Sequence, residues 1–261
     1  MEKNIKVCVR GGSSFLGCHL IKKLLQKGYT VHATMKNLGD ELKVGLLKNL
    51  SFADTRLILF QADVYNADSF APDIHGCEVV IHMATPFQHS AEITLYKSTS
   101  EAAIAGVVSI SIKDDGSGYK ESIDETCWTP LNIAIPHEDD FVMRYTHSKT
   151  LAEQALLSQQ GSTDMDIISL GCGLVGGNEL LHFVPPSEAI LLSQIKRDHQ
   201  TYSLLRFLDA ALGKVDFVHV EDVAAAHIFC IENSVPAGRY LCANSYLKSQ
   251  YSRNCSSLSN S

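Results

Sequence analysis

A short apolar run that meets a glycine-rich turn and continues as an amphipathic helix has few ways to fold, and this chain begins with one. Ile5-Lys6-Val7-Cys8-Val9 has the length and composition of a buried strand. Gly11, Gly12, Ser13, Ser14, Phe15, Leu16 and Gly17 follow at once, and Leu20, Ile21, Leu24 and Leu25 then recur at helical spacing. The helix is expected to stop at Gly28, and Thr30 to Met35 reads as the next strand. Strand, turn, helix and strand make a βαβ unit.

Glycines between the first strand and helix let the backbone come close to a pyrophosphate, whose charge is met by free amide N–H groups at the helix N-terminus. The residues after the second strand then choose the dinucleotide. An acid there would accept the ribose 2′-hydroxyl of NAD, and a base would take the extra phosphate of NADP. This chain offers Lys36, with Lys43 a little further on, and no acid at the strand end. NADP(H) is the expected cofactor, the alternative being that both lysines are simply solvated. Further strands are expected at Leu57 to Phe60, Glu78 to Met83 and Met165 to Leu170, with a short helix from Ala67 to Ile74. The fold class is α/β, a Rossmann-type doubly wound parallel sheet.

A second feature lies far along the chain. In Tyr145-Thr-His-Ser-Lys149, set in the apolar pattern of Phe141, Val142, Leu151, Ala155 and Leu156, the phenol and the ammonium fall one helical turn apart on one face. A fixed cation beside a tyrosine favours the phenolate and makes the hydroxyl a usable proton donor and acceptor nearer neutral pH. A surface tyrosine with a solvated lysine would show the same spacing, so the pair gains meaning only beside the glycine turn.

Together these features resemble the extended short-chain dehydrogenase/reductases, and within them the plant dihydroflavonol reductase, anthocyanidin reductase and vestitone reductase group, from about Lys6 to about Ala243. The resemblance implies that Gly11, Ser13, Ser14, Phe15, Leu16, Gly17, Lys36, Asp63, Val64, Thr85, Tyr145 and Lys149 bind the cofactor. It also implies a reaction: hydride passes from NADPH to a carbonyl carbon of a phenylpropanoid or flavonoid-type substrate, and Tyr145, tuned by Lys149, protonates the oxygen. Asp63 reads equally well as a turn cap. Asp124-Glu125-Thr126-Cys127-Trp128 resembles the block that leads into the substrate loop, Gly171 to Gly177 a segment that touches the nicotinamide carboxamide, and Val218 to Val223 the closing block, where Asp222 reads as a cap. The resemblance further implies a homodimer paired through helices near 93–105 and 141–160, although apolar helical faces suit a monomer core equally well.

The chain departs from that pattern in four places. Arg10 and Ser14 replace a threonine and a glycine of the first turn, and Ser14 would either weaken cofactor binding by its Cβ or touch a phosphate through its hydroxyl. After a helix-like stretch from Glu92 to Ala105, a fifth strand ending in the substrate-holding serine is missing, as from an internal deletion near 107–113. Residues 107–112 alternate apolar and polar and would fill the vacant slot, with Ser109 or Ser111 as the catalytic serine. A second alignment puts the strand at Ile93 to Tyr96 and offers Ser98 or Ser100 instead. Beyond Ala243 the serine-rich stretch has no period and is expected to lack regular structure, leaving an incomplete C-terminal substrate lobe. The expected domains are a dinucleotide-binding domain over 1–170, a partial substrate lobe with returning Rossmann elements over 171–243, and the tail 244–261.

Composition narrows the classes that remain. With 261 residues, a net charge of −7 and no dense basic run, nucleic acid is not an expected partner, and a small aromatic carbonyl compound is. Eight cysteines without Cys-x-x-Cys spacing suggest buried free thiols, no metal and a reducing compartment. The absence of a long apolar run and of an apolar leader points to a cytoplasmic protein with no membrane partner. Two functions stay open at this level: an NADPH-dependent reductase, or a catalytically impaired dinucleotide-binding remnant of one. An NAD-dependent sugar epimerase or dehydratase on the same fold is disfavoured by Lys36.

Overall fold

The computed structural model describes residues 5–83, 113, 118–131, 140–162, 164–178, 180 and 184–248. The expected Ser98, Ser100, Ser109, Ser111, Thr85 and residues 107–112 all lie outside these. Two compact units are built by an interleaved chain rather than by consecutive halves: Met1–Ala105, Asn178–Phe183 and Val220–Ala237 form one, and Gly106–Gly177, Val184–His219 and Gly238–Ser261 the other.

The first unit contains β1 (Lys6–Arg10), α1 (Phe15–Gln26), β2 (Thr30–Met35), α2 (Glu41–Lys48), α3 (Ala53–Arg56), β3 (Leu57–Gln61), a 3₁₀ turn (Ala67–Phe70), α4 (Ala71–Ile74) and β4 (Val79–His82). The strands pair in parallel in the order β3-β2-β1-β4. That order, with β1 central and the chain reversing direction of travel after β3, is the Rossmann pattern expected from the sequence. Strand alternation explains how the sheet is covered. Val7, Val9, Val31 and Ala33 join Leu20, Ile21, Leu24 and Leu25 of α1 in one buried cluster with Ala224 and Ile228 of a later helix. Cys8 and its register partner His32 face the other way, where Asp73 of α4 lies 3.0 Å from the Cys8 thiol and accepts, through its carbonyl, a 2.9 Å contact from His32 Nδ1. Helices therefore pack on both faces, as a parallel sheet requires.

The second unit holds α5 (Asp140–Leu157), β5 (Ile168–Cys172), β6 (Leu174–Gly176), α6 (Pro186–Lys196), α7 (His199–Leu212), β7 (Lys214–His219), β8 (Gly238–Cys242) and β9 (Ser245–Lys248); α8 (Val220–Glu232), between β7 and β8, belongs to the first unit. β5 pairs in parallel with β8, and β6-β7-β9 form a second small sheet. Two expectations are corrected here. The sixth strand starts at Ile168 rather than Met165, because its pairing begins with Ile168 opposite Gly238. Ser245 to Lys248, expected to lack structure, is a strand antiparallel to β7, with Ser245 opposite Phe217. Its hydrogen bonds come from a partner edge that no local periodicity reveals. Asp222, read as a cap, lies in the first turn of α8, where its carboxylate is favoured by the helix dipole. Among the described residues the seven cysteines there are free, and no helix is long and apolar enough to cross a membrane.

Candidate active site

In the first unit the candidate site is the turn between β1 and α1. Gly11 adopts φ 81°, a conformation costly for any other residue, and donates its N–H to Thr34 Oγ1 at 3.2 Å. Gly12 donates to the Thr34 carbonyl at 2.9 Å, which ties the turn to the end of β2. Gly17 faces back into the turn. A Cβ there would collide with the Gly11 carbonyl oxygen and lie 2.9 Å from Ser14 Oγ and 3.0 Å from the Gly12 carbonyl oxygen. The turn is thus closely packed backbone with no side chain at Gly11, Gly12 or Gly17, which is the shape a pyrophosphate needs.

Ser14 acquires a definite role. It is the N-cap of α1 with φ −77° and ψ 164°, and its hydroxyl accepts the Gly17 N–H at 3.1 Å. A serine pays no penalty at that backbone conformation, so the Cβ is not strained. Its hydroxyl instead satisfies one of the amides that the helix cannot bond internally. The N–H groups of Phe15 and Leu16, in the first turn of the same helix, lack helical acceptors by position and remain the natural donors to an anion. No acidic residue occupies that turn to compete.

The end of β2 carries Lys36, an exposed side chain whose Nζ stands 3.8 Å from Asp63 Oδ2. Asp63 is itself a turn residue: Oδ1 accepts the Tyr65 N–H at 3.1 Å, and its own N–H donates to Ser69 Oγ at 3.1 Å. Lys43 is held by Asp40, 3.2 Å away, where Asp40 caps α2. Of the two lysines, Lys36 is the one at the strand end. Val64 follows Asp63 and is half-buried.

In the second unit, α5 carries Tyr145 and Lys149, four residues apart and so on one face. The Tyr145 hydroxyl lies outside the described atoms. Lys149 is only 3% exposed, and burial pushes its ammonium down from the ordinary 10.5 to about 7. A lysine that buried is uncommon unless it is paired or a site uses it. The glycines of 171–177 do mark close approach, and its target is β7: a Cβ on Gly173 would stand 2.7 Å from the Asp216 carbonyl oxygen, and one on Gly177, at φ 143°, 2.6 Å from His219 Nε2.

One cluster escaped the sequence reading. Glu153, one turn beyond Lys149, accepts hydrogen bonds from Ser169 Oγ at 2.6 Å and Arg239 Nε at 3.0 Å, all three groups being buried. Arg239 also donates to the carbonyl oxygens of Glu125 and Cys127 and lies 4.5 Å over the Trp128 ring. The i, i+4 spacing of Lys149 and Glu153 was visible in the chain, but an arginine 86 positions away from its acid leaves no local signal.

The profile of the NAD dependent epimerase/dehydratase family matches residues 7–111 and 127–243, with its interruption adjoining the place where the sequence reading puts a missing strand. The chain is 34% identical to a putative anthocyanidin reductase of Ginkgo biloba, over 90% of this chain and 75% of that protein, and 34% identical to vestitone reductase of Medicago sativa, over 91% and 76%. The crystal structure of alfalfa vestitone reductase matches with a TM-score of 0.73 at 30% identity, covering 97% of this chain and 82% of the other. A yeast methylglyoxal/isovaleraldehyde reductase complexed with NADPH shares the fold at 17% identity and a TM-score of 0.68, over 95% and 80%.

Proposed function

Since the chain belongs to the NAD dependent epimerase/dehydratase family, we propose that it is an NADPH-dependent reductase of a flavonoid-type carbonyl compound. The observation that carries the reading is Lys149, buried one turn from Tyr145 on α5 and held near neutrality by that burial. The similarity to plant flavonoid reductases over nine-tenths of the chain supports the substrate class.

The residues of the first turn fit a dinucleotide, since Gly17 leaves room that a Cβ would fill and the first-turn amides of α1 face an anion unopposed. Gly11, Ser13, Phe15, Leu16 and Gly17 would hold the pyrophosphate, Lys36 the 2′-phosphate, Asp63 and Val64 the adenine side, and Thr85 the ribose near the ring. Bound NADPH supplies the hydride that reduces the carbonyl carbon. Tyr145 gives its phenolic proton to the carbonyl oxygen as the alkoxide forms, so that one hydride and one proton convert C=O to CH–OH. Lys149 favours the phenolate left behind, and the proton is replaced from solvent. Ser109 or Ser111 would hold the carbonyl oxygen.

The test is NADPH oxidation by the purified full chain with vestitone, a dihydroflavonol and an anthocyanidin, with the reduced product identified by mass. Substrate-dependent oxidation with one of them is expected, and Tyr145→Phe should remove it. Unchanged rates in Tyr145→Phe would sink the proton-donor role, and no turnover with any of the three would remove the reductase reading. The interruption of the family match at 112–126 favours a second reading, a dinucleotide-binding protein without turnover. Thermal stabilisation by NADP without any turnover would select it.

Lys36 sets a further expected result. Lys36→Ala should weaken NADP binding about tenfold, the worth of one charge-assisted contact, and leave NAD within about twofold. Calorimetric titration with both dinucleotides checks this. An equal loss for the two would mean that the lysine does not reach the 2′-phosphate.

A further inference from the structure

Arg239 and Glu153 form an ion pair in which both side chains are almost fully buried, 4% and 2% exposed. Stability does not account for it. Removing two charges from water costs about what their attraction returns, and an apolar pair of the same volume usually serves as well. What such a pair supplies is geometry, because a guanidinium is a rigid planar fork that orients several acceptors at once.

Here the fork joins three pieces of the second unit. Arg239 on β8 is the register partner of Ser169 on β5, and both donate to the same oxygen of Glu153. Glu153 lies four residues beyond Lys149 and eight beyond Tyr145, on the same face of α5. On the other side, Arg239 Nη1 reaches the Glu125 carbonyl at 3.1 Å and the Cys127 carbonyl at 2.6 Å, while the guanidinium stacks on Trp128. The Leu241 N–H adds a 3.3 Å bond to Glu125 Oε1, so β8 grips this segment twice. Among the described residues the second carboxylate oxygen of Glu153 is buried with no hydrogen-bond partner, and Arg239 and Ser169 hold the first.

We infer that Arg239 is a positioning residue: one guanidinium sets the helix that carries Tyr145 and Lys149 in register with the 124–128 segment, which leads toward the substrate loop. Its catalytic consequence rests on the reductase reading above, and its geometric consequence does not. A lysine at 239 would keep the charge but could not hold the carboxylate, two carbonyls and an aromatic face together.

The experiment compares the full-length wild type with Arg239→Lys well below both melting transitions. Lysine labelled with carbon-13 at Cε reports the titration of Lys149, its resonance identified by its loss in Lys149→Met. In Arg239→Lys the Lys149 midpoint is expected to move by about half a pH unit or more, as α5 shifts and the burial of its ammonium changes. In the same protein kcat is expected to fall ten- to a hundredfold, the scale of a misplacement of about 1 Å, with KM for NADPH within about twofold. An unchanged midpoint with unchanged kcat overturns the inference and leaves Arg239 as a core residue only. A displaced midpoint in Arg239→Lys, beside a wild type that shows no turnover, upholds the positioning and discards the reductase reading, so the two failures are separate. If Arg239→Lys does not fold, Trp128→Phe, which keeps a ring but weakens the stack, is expected to displace the midpoint in the same titration, and no displacement there overturns the inference.

Discussion

Replacing Lys149 with methionine is expected to lower turnover on the order of a thousandfold and, in the same protein, to flatten the dependence of stability on pH. The first effect follows, on the proposed reaction, from losing the side chain that would tune Tyr145 as a proton donor. The second follows from burial. The folded protein holds this ammonium at about 7, against the ordinary 10.5. Between those values the unfolded chain carries a proton at Lys149 that the folded chain has given up. Where the unfolded state binds more protons, stability rises with pH, so the contribution of Lys149 should improve as pH climbs from about 7 to about 10.5. Below 7 both states are protonated and the folded one bears the full cost of a buried charge. Each unit of displacement is worth about 1.4 kcal/mol, which is large against the marginal stability of a domain. Melting experiments at pH 6 and pH 10 would check this. Lys149→Met should be the more stable protein at pH 6, with the gap to wild type closing by pH 10. A gap of the same size at both pH values would mean that Lys149 is not buried as a neutral amine.

Gly17→Ala is expected to abolish stabilisation by NADP. The added Cβ meets the carbonyl oxygens of Gly11 and Gly12 and the hydroxyl of Ser14, and the first two are backbone atoms that cannot rotate away. The turn must open, which separates the amides that would surround the pyrophosphate. Overpacking of this kind costs about 1–3 kcal/mol by itself. A ligand at a hundred times its dissociation constant should stabilise the wild type by about 2.7 kcal/mol, and in Gly17→Ala that increment should vanish. Gly45→Ala is the control. Gly45 lies within α2 with nothing within 4 Å of an added Cβ, so alanine there should raise stability by up to about 1 kcal/mol and leave the cofactor response intact. A normal NADP shift in Gly17→Ala would place the cofactor elsewhere.

What the sequence by itself determined is what depends on neighbours a few residues apart. The order of β1, turn, α1 and β2 follows from a change of period from apolar run to helical repeat with glycines between, and all four elements stand where that change puts them. The spacing of Tyr145 and Lys149 fixes them to one face of a helix because 3.6 residues make a turn, whatever surrounds the helix.

Tertiary structure decided the rest. The part Ser14 plays in the turn depended on its backbone angles, which make it a cap for Gly17. Lys149 is an ordinary lysine in the chain, and its ammonium is pushed down to about 7 only because the fold buries it. β9 exists because β7 offers it an edge, and the glycines of 173–177 are small because β7 lies against them. Arg239 finds Glu153 across 86 residues and Glu125 across 114. These outcomes share one cause: hydrogen bonds and burial are satisfied by whichever group folding brings near, and distance along the chain carries no record of that choice.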